Sequence, residues 1–144
     1  MDKREFFTRL GRLAYEYDSL YALYASRIEK RSDNFIWILY ALDYNELDTQ
    51  KDIAKQWSMP LSTVNKIIKQ MEKDGFVILE KSFSDKRERK IKLTLKGKAY
   101  SKEILSDIYK AEAMAYEKLK NPKELLEQYE LLVNETKKAI KGEK

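Results

Sequence analysis

The 144 residues include no cysteine and no histidine. Without cysteine there is no disulfide and no thiol to oxidise, which fits the cytoplasm and excludes sensing through sulfur. Without histidine, the commonest transition-metal ligand and the usual general base are missing. No apolar run approaches the roughly 18 residues a membrane helix needs, so no membrane partner is expected. The opening residues Met1-Asp2-Lys3-Arg4-Glu5 are charged and lead into an amphipathic pattern, unlike a secretory leader. Gly-rich phosphate loops, nucleophile elbows and metal-ligand clusters are also missing. Carboxylates are plentiful, but they sit at solvated helix positions beside lysines. The expectation is no catalytic residue, no metal, no cofactor and no enzyme. There is no internal repeat or low-complexity stretch.

What is present is charge, unevenly placed. Residues 51–98 hold 13 Lys/Arg against 6 Asp/Glu, a balance of +7; the remainder holds 16 against 18, a balance of −2, for a total of +5. A local excess of this kind is the footprint of phosphate binding, whereas an even spread would be an ordinary lysine-rich surface.

Taken in order, residues 4 to about 30 read as one helix. Phe6, Phe7, Leu10, Leu13, Ala14, Tyr17, Leu20, Tyr21, Tyr24 and Ile28 recur at helical spacing. The apolar side is wide enough for both a core and a partner to claim it. Cations in Arg27-Ile28-Glu29-Lys30-Arg31 would complement its C-terminal dipole. Ser32 or Asp33 can cap a second helix, apolar nearly all round from Phe35 to Leu42 and hence central. Thr49 and Asp52 form a capping box for a third helix, with Ile53, Ala54 and Trp57 inward.

A fourth helix is expected to begin at or near Pro60, since proline suits the first helical position. Val64, Ile67, Ile68 and Met71 draw its apolar stripe. Ser62, Asn65, Lys66, Lys69 and Lys73 fall opposite, with short hydrogen-bonding groups first and cations later. A helix lying in a major groove needs that order, because small polar groups reach base edges while lysines reach phosphates. The ordinary alternative is a solvated amphipathic face. Gly75 ends the helix. Phe76-Val77-Ile78-Leu79 and Lys90-Ile91-Lys92-Leu93-Thr94 then read as two strands of a hairpin. Its tip, Phe83 to Arg89, carries cations suited to a minor groove, and Asp85 would pair with Arg87 or Arg89 to fix a guanidinium. An incidental ion pair on a solvated turn is the alternative. Beyond the hairpin, Thr94 can cap a helix to about residue 120, and Asn121-Pro122-Lys123-Glu124 restarts a last helix.

The run Asp85-Lys86-Arg87-Glu88-Arg89-Lys90-Ile91-Lys92-Leu93-Thr94 matches a D-x-R-x-x-x-x-x-L-T pattern. With Asp52–Trp57, Ser62–Glu72 and Thr94–Gly97 it resembles the MarR (multiple antibiotic resistance regulator) winged helix-turn-helix family, closely over about fifty residues. Ser58, where a turn glycine is common, and Pro60, where a capping serine is usual, depart from the pattern. The resemblance implies a mainly α fold with a small β-hairpin wing: a winged helix-turn-helix head over residues 32–97, flanked by dimerisation helices over 1–31 and 98–144, all in one domain. It also implies a homodimeric, ligand-responsive transcriptional regulator, a repressor in the reading we adopt, binding double-stranded DNA at a palindromic operator. The recognition helix 60–74 would enter the major groove and the wing 82–90 the minor groove. The DNA-binding residues so expected are Ser62, Thr63, Asn65, Lys66, Lys69, Lys86, Arg87, Arg89 and Lys90, with Asp85 orienting the wing.

Six of the ten tyrosines precede residue 45. In proteins of the resembled family a small aromatic or phenolic effector often binds between the dimer helices and the head. Tyr17, Tyr21, Tyr24, Trp37 and Tyr40 are the candidates to line such a pocket, and plain core and interface packing is the alternative for each. The competing functional reading is a winged-helix module used for protein contacts without DNA. Aromatics and fewer charges would then be expected on the face that here carries Lys66, Lys69, Arg87 and Arg89. RNA is disfavoured because the hairpin has no aromatic platform apart from Phe83.

Overall fold

The computed structural model describes residues 1–28, 31–44, 48–81 and 87–142. Its elements run α1 (Lys3–Ser26), α2 (Asp33–Tyr44), α3 (Gln50–Gln56), α4 (Leu61–Lys73), β1 (Val77–Lys81), β2 (Arg89–Leu93), α5 (Leu95–Tyr116) and α6 (Pro122–Lys141). This is the expected mainly helical fold with one antiparallel hairpin. The elements gather into two compact units, Met1–Leu105 and Ser106–Lys144. Among the described residues no helix is long and apolar enough to cross a membrane.

Most helices begin where a side chain takes up an orphan amide. Asp2 accepts from Glu5 N at 2.8 Å, and Ser32 Oγ from Phe35 N at 3.2 Å. Thr49 and Asp52 exchange bonds of 3.0 and 3.1 Å in the anticipated capping box. Thr94 Oγ1 accepts from Gly97 N at 3.0 Å, and Asn121 Oδ1 from Glu124 N at 3.1 Å with Pro122 next in line.

In the first unit α2 is central, with Ile36, Ile38, Leu39 and Leu42 fully buried. Ile53 of α3, Val64, Ile68 and Met71 of α4, and Val77, Ile91 and Leu93 of the hairpin complete that core. The strands pair Val77 with Leu93 through Lys81 with Arg89. On its other side β2 is held by Asp48, whose carbonyl accepts from Ile91 N at 3.0 Å, and by a single bridge from Thr49 to Lys90. The hairpin joins the helices at a tight junction. Thr94 Oγ1 donates to Gly75 O at 2.6 Å, Thr94 N to Phe76 O at 3.0 Å, and the Phe76 ring stacks on Tyr100 at 4.1 Å.

Several boundaries differ from the expectation. The first helix stops at Ser26 rather than about residue 30, with Arg27 as its cap residue and no basic residue in its last turn. Arg31 instead pairs with Asp74 at 3.5 Å and lies over the Phe35 ring at 4.4 Å. Helix α4 starts at Leu61, with Pro60 as its cap residue at ψ 135°. The first strand begins at Val77 and the second ends at Leu93, each one residue inside the expected limit, because Phe76 and Thr94 are spent on the junction. Helix α5 stops at Tyr116, four residues short of the expected end.

Large apolar side chains remain exposed on α1 (Phe7, Leu13, Leu20, Leu23) and on α6 (Leu125, Leu126, Tyr129, Val133, Ile140).

Candidate nucleic-acid interface

The turn between α3 and α4 is closed by Met59 N bonding to Ala54 O at 2.9 Å. To make that turn Ser58 takes φ +50°, in the left-handed region where glycine is at home. Pro60 follows and offers no side-chain acceptor to the first turn of α4. The positive pole of this 13-residue helix is therefore left for an external anion.

Burial of Val64, Ile68 and Met71 fixes the rotation of α4. Ser62, Asn65, Lys66, Lys69 and Lys73 then share one outward surface with Gln70. Ser62, Lys66 and Lys69 are exposed and Asn65 is half-buried. Thr63 is turned differently: with Lys66, Ile67 and Gln70 it borders a hollow at the start of α2, beside Arg31, Ser32 and Phe35.

Where α4 begins, it faces the base of the wing across a concavity of about 390 Å³. Asn65 contributes to it from the helix, and Arg87 and Arg89 from the hairpin. The structure thus brings together Asn65 and two of the expected arginines. Lys90 is half-buried, and its charge acts on Asp48 and Asp52 at the start of α3. Asp85, Lys86 and the proposed pairing of Asp85 with an arginine lie outside the described residues.

Gln50 and Lys51, not anticipated as site residues, line the same concavity. The Gln50 Oε1 atom is buried with no hydrogen-bond partner among the described residues. The capping box was their available signal: the two residues after a cap lie at the exposed mouth of a helix. Within that box, Thr49 N–H holds the Asp52 carboxyl below its ordinary range. Burial, then the neighbouring Asp52 charge, pushes the Asp48 carboxyl up, while Lys90 pulls it back.

The candidate effector residues form a chain of rings. Tyr17 and Tyr21 share a hydroxyl hydrogen bond of 2.9 Å, and Tyr21 stacks on Trp37 at 4.1 Å. Trp37 approaches Tyr40 at 5.8 Å and Trp57 at 5.2 Å. Tyr24 donates its hydroxyl to Ile104 O. Tyr40 also lines an open depression with Ala41, Tyr44, Asp48, Gln56 and Trp57.

Residues 36–88 match the sequence model of the MarR family. In fold the chain resembles NMB1585, a MarR family regulator from Neisseria meningitidis, over the whole of both chains, at 22% identity and TM-score 0.80. It also resembles reduced AbfR bound to DNA, AbfR being a protein of Staphylococcus epidermidis; that match covers 93% of this chain and 96% of the other, at 20% identity and TM-score 0.71. A third likeness is to Staphylococcus aureus MarR in complex with salicylate and kanamycin, over 98% of this chain and 93% of that one, at 18% identity and TM-score 0.65. At these identities the likeness is one of fold. No curated protein matches in sequence.

Proposed function

We propose that this chain, a winged helix-turn-helix protein with a MarR-family head at residues 36–88, is a sequence-specific double-stranded-DNA-binding transcriptional regulator. The observation that carries the reading is the shared concavity of Asn65, Arg87 and Arg89 beside the uncapped start of α4. An amide that can read a base edge, guanidinium groups and a free helix pole converge there, and the lysines of α4 flank them. The DNA complex of AbfR supports the same use of the fold. A face this cationic is ill suited to a protein-docking surface.

The regulator works as a homodimer on a palindromic operator. The exposed apolar residues of α1 and of α6 support this, since patches of that kind mark interfaces. A two-fold pair would set the recognition helices about one DNA turn, roughly 34 Å, apart. It acts as a repressor released by a small aromatic or phenolic effector; the ring chain from Tyr17 to Tyr40 and the salicylate complex of the S. aureus relative support that part. Its place of action is the cytoplasm, where the DNA is.

Anisotropy titrations of labelled duplex across a salt series test the central claim. Arg89→Ala is expected to weaken binding and lower the salt slope by about one, whereas Asn65→Ala changes the preferred sequence. Equal binding by parent and variants, or no salt-sensitive affinity for any duplex, refutes it. Light scattering tests the dimer: a monomer at micromolar concentration removes the two-fold arrangement.

A further inference from the structure

The depression bordered by Tyr40, Tyr44, Gln56, Trp57 and Asp48 encloses about 420 Å³ on the face of α2 and the end of α3. Its walls are electron-rich. The rings of Tyr40 and Trp57 stand 6.3 Å apart at 75°, the edge of one toward the face of the other. Tyr44, 91% exposed, stands beside them. Lysine and arginine make up 29 of the 144 residues, yet none is among the described residues that line this depression; the charged side chain there is the Asp48 carboxylate.

We infer that this depression is a binding site for a small organic cation, an ammonium group bearing apolar substituents. An ammonium seated against the ring surface that lines the depression would be held by cation–π attraction, with the carboxylate as counter-charge. Apolar substituents would cover the rest of the rings. An aromatic carboxylate would instead face Asp48 with like charge and gain no basic partner. Burial already pushes the Asp48 carboxyl up, and Lys90 pulls it back; a bound cation would add to the pull of Lys90.

The position also couples the site to the wing. The Asp48 carbonyl holds Ile91 N, and Thr49 bridges to Lys90, so the residue at the floor of the depression also anchors the strand that carries Arg89. A cation drawn to the Asp48 carboxylate therefore acts on the residue whose backbone carbonyl holds β2. This inference deepens the effector part of the function proposed above and names a different ligand class. It does not rest on the DNA-binding part.

The test uses the DNA-free full chain at constant ionic strength, titrated separately with benzyltrimethylammonium, benzyl alcohol and benzoate. These probes keep one ring and vary the charge. Emission from Trp37 and Trp57 is the readout. The cation is expected to give saturable quenching with a dissociation constant lower by roughly tenfold than the other two. Tyr44→Ala and Asp48→Asn are each expected to weaken the cation about fivefold with the circular dichroism spectrum unchanged. Because Tyr44 is so exposed, its removal leaves the fold standing even where Asp48→Asn does not. Equal affinity for the three probes, tighter benzoate binding, no saturable change, or a folded Tyr44→Ala chain that holds the cation as tightly as the parent overturns the site. Salt-sensitive duplex binding by the same protein tells failure here from failure of the DNA-binding reading.

Discussion

Replacing Gly97 by alanine puts the junction between hairpin and helices under direct strain. A Cβ on Gly97 would lie 1.9 Å from the Phe76 carbonyl oxygen and 2.8 Å from its carbon. Both are main-chain atoms, so no side-chain rotation relieves the contact. The carbonyl must retreat by about 1 Å to restore an acceptable separation, and a core this closely packed resists such a shift. The same carbonyl accepts from Thr94 N, and the neighbouring Gly75 carbonyl accepts from Thr94 Oγ1. Weakening those two bonds costs about 1 kcal/mol each, and forcing apart the packed backbone adds about 1–3 kcal/mol. Gly97→Ala should therefore lose roughly 3–5 kcal/mol, a large part of the 5–15 kcal/mol typical of a folded chain. Urea unfolding followed by tryptophan emission, at equal protomer concentration for parent and variant, measures it. A loss below about 0.5 kcal/mol would mean that the close approach of Phe76 to Gly97 is not a feature of the folded protein.

Ser58→Gly should stabilise. A non-glycine residue in the left-handed region costs about 1–2 kcal/mol, and the extra freedom of glycine in the unfolded chain returns about 0.4–1 kcal/mol, leaving a net gain of roughly half to one kcal/mol on the same unfolding curve. Asp52→Asn should lower the unfolding free energy at neutral pH by roughly half a kcal/mol, the scale of a charged group at a helix start. The Asp52 carboxyl is held down in the folded state, so its contribution is whole above the usual carboxylate value of 3.8 and is lost as pH falls through the lower folded value. The gap between parent and variant should therefore close toward pH 3. A gap that widens on acidification would show that the carboxylate is not what caps the helix. Asp48 has the opposite sign: its raised folded value favours stability below 3.8 and withdraws it as pH rises.

Local chemistry was the legible part of this molecule. Thr49 with Asp52, Thr94 with Gly97 and Asn121 with Pro122 each act within three residues, and the side-chain pattern around them names the helix starts. The rotation of α4 was likewise legible from Val64, Ile68 and Met71, and with it the outward position of Ser62, Asn65, Lys66 and Lys69. What escaped depends on distant partners. Arg31 read as the end of a helix because nothing nearby reveals Asp74, which lies 43 positions on. The need for glycine at position 97 was not legible because only the folded hairpin brings Phe76 against it. Gln50 and Lys51 join Asn65 only once two helix starts converge on the wing. The tyrosines were legible in number and spacing, whereas the stacking of Tyr21 on Trp37 depends on two helices meeting.

The way β2 is held carries a consequence for how a duplex is measured. One edge of that strand is fastened to β1 and the other to the residues that open α3, while its end is locked to the close of α4 through Thr94. Under the function proposed above, α4 and the strand that begins at Arg89 would act as a caliper. Targets whose two grooves present themselves at another offset would then be rejected by geometry before any base is inspected, and tolerance for a longer or shorter spacer would have to come from outside the head.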